Sequence, residues 1–170
     1  MSNLSLIDNV LNSDFKCKYN TLVEKNDGVD MSIDCVTENC QSLIFDFDIQ
    51  LDKTFSGGFF PFFSNNEGVK KRCDYIIFSE LNGQLFALII ELKAGRQGAM
   101  PQLNAGECFV DYVIDTVNRV NKKSLTIEKR KISIREFERK YKTKLKEIEY
   151  DENNHHFFGQ QKFRIASYLK

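Results

Sequence analysis

Only two prolines interrupt the 170-residue chain. No repeat, low-complexity stretch or linker divides it, so the sequence predicts a single domain over residues 1–170. No apolar run reaches the ~18 residues of a membrane span, and no membrane association is expected. The first sixteen residues lack both a basic start and an apolar run, so they do not read as a secretory signal. The five cysteines, Cys17, Cys35, Cys40, Cys73 and Cys108, are odd in number and form no CxxC pair. That pattern argues against a zinc site or a disulfide framework and for a reducing cytoplasm. Also missing are a Gly-rich phosphate loop, a GxSxG elbow and a Cys/His constellation. The only histidines, His155 and His156, are adjacent in the polar stretch DENNHHFFG. A pair in such a loop is more often structural than catalytic.

What remains is a folded, charge-rich chain, 42% hydrophobic and 28% charged, outside the range of disordered segments. Its net charge of zero hides a division. Residues 1–91 hold 14 acids and 7 bases, and residues 92–170 hold 10 acids and 17 bases. A basic C-terminal half fits either a polyanionic partner or simple neutralisation against the acidic half.

Hydrophobic spacing gives the order of elements. Leu4, Ile7, Val10 and Leu11 predict a short helix. SLIFDFDIQLD (42–52) alternates, with Phe45, Phe47, Ile49 and Leu51 on one side and Asp46, Asp48, Gln50 and Asp52 on the other. That predicts a strand with one wet face. A Phe-rich loop, FSGGFFPFFSNNEG, follows. Two apolar strands then flank Asn82-Gly83, and a helix follows with Pro101 in its first turn and Leu103, Phe109, Val113, Val117 and Val120 near one stripe. SLTIE (124–128) reads as a strand. Ser133 and Glu136 have capping-box spacing and predict a last helix through Ile134, Phe137, Tyr141, Leu145 and Ile148. The sum is an α/β core with a mixed sheet.

The two apolar strands, CDYIIFSELNGQLFALIIELKAG, carry charges where charge is costly. Asn-Gly between alternating runs is a strong hairpin signal, because both residues tolerate positive φ. A turn centred there pairs residues whose numbers sum to the same value. Tyr75 then faces Ile90, and Asp74 faces Glu91. Directly opposed residues share a face, with Cβ atoms roughly 4.5–5.5 Å apart. Lys93, two residues on, lies on that face too. Two carboxylates side by side destabilise a sheet unless a cation is shared between them, and with the Leu92 carbonyl they offer the hard oxygen ligands that Mg²⁺ takes. A salt bridge at the open end of a hairpin is the plainer reading.

Asp74 at the start of one strand and Glu91-Leu92-Lys93 at the end of the next, with a helix following, resemble the PD-(D/E)xK nuclease superfamily. Cys73 stands where that family often has proline. The resemblance implies a restriction-endonuclease-like fold, a mixed β-sheet core flanked by helices. It also implies an Mg²⁺-dependent nuclease, with Mn²⁺ substituting, in which Asp74, Glu91 and the Leu92 carbonyl hold the metal and Lys93 orients water or neutralises charge. Many members add an acid from the first helix, for which Glu38 is the candidate and Glu24 the next. Some add a glutamine from the following helix, here Gln102 or Gln97. DNA is the expected substrate in preference to RNA. A homodimer or a guiding protein would make up for the lack of room for a sequence-reading domain. By analogy with the family, the setting is prokaryotic defence, restriction or repair. The alternative is an inactive nuclease-like module that binds nucleic acid or a protein.

Candidate phosphate-binding residues are Lys70, Lys71 and Arg72, just before Asp74, and Lys122, Lys123, Lys129, Arg130 and Lys131 around the strand after the helix. Such contacts dominate nucleic-acid affinity. Further bases, from Arg135 to Lys146, lie on the predicted last helix, where interspersed glutamates fit a solvated face equally well.

Overall fold

Asn82 and Gly83 both take positive φ, 51° and 82°. A type I′ hairpin turn requires this at both central residues. The computed structural model describes residues 2–25, 30–49, 63–93, 98–135, 148–159 and 162–170. Along it run α1 (Asn3–Asp8), β1 (Thr21–Glu24), β2 (Met31–Val36), β3 (Gln41–Asp46), β4 (Tyr75–Leu81), β5 (Gln84–Lys93), α2 (Met100–Asn121), β6 (Ile127–Arg135), β7 (His155–Phe158) and β8 (Lys162–Arg164), with a 3-10 turn at Ile165–Tyr168. Most of the Phe-rich loop, Gln97, Gln50 to Asp52 and the greater part of the predicted last helix lie outside the described residues.

Five strands form a mixed sheet in the order β3-β4-β5-β6-β7. The first three are antiparallel neighbours, whereas β5, β6 and β7 run parallel. The connection from β5 to β6 carries α2, as a parallel crossover requires. A smaller sheet, β1-β2-β8, stands apart. The β4–β5 register is the one the turn dictates, from Leu81↔Gln84 to Tyr75↔Ile90.

Both faces of the large sheet are covered. Ile76 and Phe78 of β4 and Leu85, Ala87 and Ile89 of β5 pack with α1 and with Leu103, Val110, Val113 and Val117 of α2. Tyr75, Ile77, Leu88, Ile90 and Leu92 point the other way. They meet Leu22 of β1, Met31, Ile33 and Cys35 of β2, and Phe163, Ile165 and Tyr168 near the C-terminus. The architecture is a mixed β-sheet with helices on one face and a small sheet on the other. Strands sealed on both faces read as continuous apolar runs, which is why residues 75–78 and 85–90 are buried without alternation. No helix among the described residues is long and apolar enough to cross a membrane.

Two expectations are corrected. The strand read over 42–52 ends at Asp46, and the side that carries Asp46 is only partly wet, since Ile44 on that side is buried beneath the smaller sheet. Ser133 does not cap a helix. It sits inside β6, which pairs with β5 over nine residues, from Leu85↔Ile127 to Lys93↔Arg135. Parallel pairing across a buried sheet outweighs a local capping signature.

Candidate metal centre

The site is assembled where β1 and β5 end, β4 begins and the chain leaves β3. Asp74 stands one residue before β4 and is held by main chain on two sides. Its carbonyl accepts from the Phe47 N–H at 2.7 Å, and its carboxylate accepts from the Leu92 N–H at 2.6 Å. Glu91, on the adjoining strand, is 3% exposed, and its Oε1 lies 2.7 Å from Lys93 Nζ.

Two further acids join from elsewhere. Glu24 arrives at the end of β1 because the Tyr75 hydroxyl ties the two sheets together, accepting from the Val23 N–H at 3.0 Å and donating to the Val23 carbonyl at 2.9 Å. Asp48 follows a turn in which the Asp46 carboxylate accepts from its N–H at 2.9 Å, an Asx-type turn. One carboxylate oxygen from each of Glu24, Asp48 and Asp74 lies within 4.8 Å of the others. Asp74 is the enclosed member, Glu24 is half-buried, and Asp48 reaches solvent, where Arg72 pairs with it at 3.2 Å.

Negative charge is concentrated in the cluster itself. Burial, then the nearby Glu91 charge, pushes Asp74 up to about 8, against the pull of the Leu92 N–H. Asp48 and Glu24 add to the rise. Burial also raises Glu91, while Lys93 and the Asp74 N–H work against it. The protein alone therefore holds these carboxylates under mutual repulsion, which a bound divalent cation would reverse.

The donor set fits such an ion. All the acids are hard oxygen donors, and Glu91 Oε2 is buried without a hydrogen-bond partner. Gln102 Oε1 is a second buried acceptor without one. Its position follows from helix packing. At Gly106 a Cβ would lie 2.6 Å from both Cys73 Sγ and Ile89 Cγ2, so α2 lies hard against the hairpin there. Contacts of Lys131 with Asn104 and Glu107, and of Lys129 with Glu107 and Asp111, show that α2 runs antiparallel to the strands. One turn back from Gly106 is Gln102, and one step on from Ile89 is Glu91, displacements of about 5.4 and 6.6 Å. Gln102 thus belongs to the Glu91 level of the structure.

The other predicted residues are dispersed. Glu38 lies in the turn before β3, whose Gln41↔Glu80 and Asp46↔Tyr75 pairings put it at the opposite end of the sheet from Asp74. Glu24, the next candidate, is the acid that reaches the cluster. Lys122 and Lys123 follow the C-terminus of a 22-residue helix, about 33 Å long, whose other end is at the acids. Lys129 and Lys131 pair with Glu107 and Asp111. Arg130 pairs with Glu128, donates to the Lys170 carbonyl and lies over the Tyr150 ring. Lys70 bonds Asn65, and Lys71 is exposed. Of the eight basic candidates, Lys70, Lys71 and Arg72 are the ones leading into the cluster.

Sequence reading passed over Asp48, which an alternating strand seemed to explain, and a line of polar contacts nearby that runs from a buried serine to an exposed aspartate. Ser133 Oγ lies 2.8 Å from His155 Nε2, and His155 Nδ1 lies 3.5 Å from Asp151. The order of groups is that of a hydrolytic triad, but Ser133 is 1% exposed and has no open side for an acyl group. Burial holds the His155 pKa below its ordinary value despite Asp151. The line ties β7 to β6 beside Glu91, which is the β5 partner of Ser133. No family model, no curated protein and no solved structure matches the chain.

Proposed function

We propose that the protein is a metal-dependent nuclease that hydrolyses phosphodiester bonds, with DNA the preferred substrate over RNA and Mg²⁺ the native ion. The observation that carries this is the meeting of Glu24, Asp48 and Asp74 oxygens within 4.8 Å, with Glu91 and Lys93 alongside on the next strand.

Asp74, Glu24 and Asp48 would hold the ion, with Glu91 and the Leu92 carbonyl completing the set. When bound, the ion supplies polarisation of the phosphoryl oxygen and a lowered pKa for water. The chain's own residues do the rest. Glu91 accepts from Lys93 at 2.7 Å and so fixes the ammonium next to the acids, where it orients a water or offsets charge gathering on the phosphorane. Gln102 offers an acceptor that can align that water. Hydrolysis of a phosphodiester asks mainly for positioning and charge neutralisation.

One observation favours a binding module that does not cut. Lys93 and Arg72 are already paired with Glu91 and Asp48, so the two cations nearest the acids are engaged. Incubation of plasmid, linear duplex, single strands and RNA with Mg²⁺ or Mn²⁺ decides between the two. Cleavage by wild type and its loss in Glu91→Ala supports the nuclease. Equal behaviour of the two proteins on every substrate removes it. Retained nucleic-acid binding in the absence of cleavage leaves the binding module.

A further inference from the structure

Four cationic side chains are spaced along β6. Three of them, Lys129, Arg130 and Lys131, pair with carboxylates of the same chain. The fourth, Arg135, has no ion pair among the described residues. It is also the one at the acidic end of the sheet, where Lys93 is its neighbour across β5 and β6. Adjacent strands are about 4.8 Å apart, so Arg135 stands one strand over from the lysine that the nuclease reading places beside the scissile phosphate.

Its side chain is arranged rather than loose. The guanidinium carbon lies 4.5 Å from the centroid of the Phe157 ring. Phe157 is on β7, the edge strand of the sheet, and is 57% exposed. The His155 ring meets it in a T-shaped contact at 4.4 Å. Nε of Arg135 is buried without a hydrogen-bond partner, so the inner edge of the fork is enclosed. Leaving a donor in that condition costs free energy, and among the described residues no carboxylate compensates for it. A flat cation stacked on a ring, with its Nε buried, is suited to bidentate recognition of a phosphate.

We propose that Arg135 is a substrate-phosphate anchor, gripping a backbone phosphate of a nucleic-acid strand close to the one that is cut, and that Phe157 is the positioning residue that holds the guanidinium ready. The proposal rests on the nuclease reading of the acidic cluster. It gives that reading a direction, since the strand must extend from the acids across β5 and β6 toward the β7 edge.

The test is binding of a labelled DNA duplex with single-stranded ends, followed by anisotropy over a salt series, with Ca²⁺ in place of Mg²⁺ to suppress cutting. Arg135→Gln keeps the first part of the side chain and removes the charge. It is expected to weaken binding about tenfold and to reduce the slope of log affinity against log salt by about one unit. Arg135→Lys should keep the slope yet lose several-fold in affinity, because the fork is gone. Phe157→Leu should weaken binding by less than Arg135→Gln and leave the slope alone. An Arg135→Gln protein that melts normally and binds within about twofold of wild type, with the same slope, overturns the anchor. If that same protein still cuts, the nuclease reading stands without it. A wild type that neither binds nor cuts any nucleic acid removes both.

Discussion

The two ends of the central sheet treat acidic side chains in opposite ways. At the hairpin end, Glu80 is met by donors. Asn3 Nδ2 reaches it at 3.2 Å and the Leu4 N–H at 3.4 Å, so one carboxylate is shared by two groups of α1. At the open end, Glu24, Asp48, Asp74 and Glu91 converge, and Asp74 and Glu91 are driven toward protonation, by burial first. One end spends a carboxylate on holding a helix. The other gathers charge that the folded chain alone does not neutralise, which is the mark of a place built for something the chain must bind.

The sharpest break in that comparison is catalytic. Asp74→Ala or Glu91→Ala should lower cleavage at least about a hundredfold, while Glu80→Ala leaves the rate per folded molecule unchanged. A gel assay with matched folded concentrations reads both. Thermal melts with increasing Mn²⁺ come next. Wild type should gain about 2.7 kcal/mol when the ion is at a hundred times its dissociation constant. Glu80→Gln should gain as much, and Asp74→Asn little. Gain in all three proteins would place the ion elsewhere.

The pH dependence of stability in EDTA separates the ends further. Asp74 titrates from an ordinary 3.8 in the unfolded chain and from about 8 in the folded one. The folded state therefore holds the extra proton between those values. Its stabilisation is complete below about 3.8, and it is lost as the pH rises through about 8. The melting temperature without metal should fall over that window, and Mn²⁺ should restore it. In Asp74→Asn the fall should be reduced. The smallest effect is on stability at neutral pH without metal. Asp74→Asn should stabilise by about 1 kcal/mol because the neutral amide needs no proton taken up on folding while the Leu92 N–H keeps an acceptor. Glu80→Ala should destabilise by about 1 kcal/mol through the loss of its two donors' partner.

Much of this end was legible because a single local signal fixes it. Asn82-Gly83 sets the hairpin register, and the register sets Asp74 beside Glu91 and Lys93. The helix after them was legible from its apolar stripe and Pro101. Glu24 was legible only as a second choice for a helical acid, and Asp48 was not legible as a partner at all. One comes from a strand of the other sheet and the other from beyond a strand end, and only the Tyr75 hydroxyl and the Asp46 turn bring them in. Ser133 misled for a related reason. Ile132 and Ile134 are both fully buried on either side of it, so a nine-residue parallel strand leaves no alternation to read, and a chance Ser-x-x-Glu spacing is louder. Arg135 was grouped with helix charges by the same error, whereas it ends a strand as the partner of Lys93.

The Asp74 carboxylate and carbonyl are both gripped by peptide groups. Phe47 and Leu92 hold them through their N–H groups, and any amino acid except proline supplies the same donor. The side chains at those two positions are therefore exchangeable as far as the grip is concerned, within the limits of packing. Phe47 can be varied to suit the aromatic cluster around it, and Leu92 to suit the core beneath. An engineer could recolour the surroundings of this carboxylate widely and still find it in the same place.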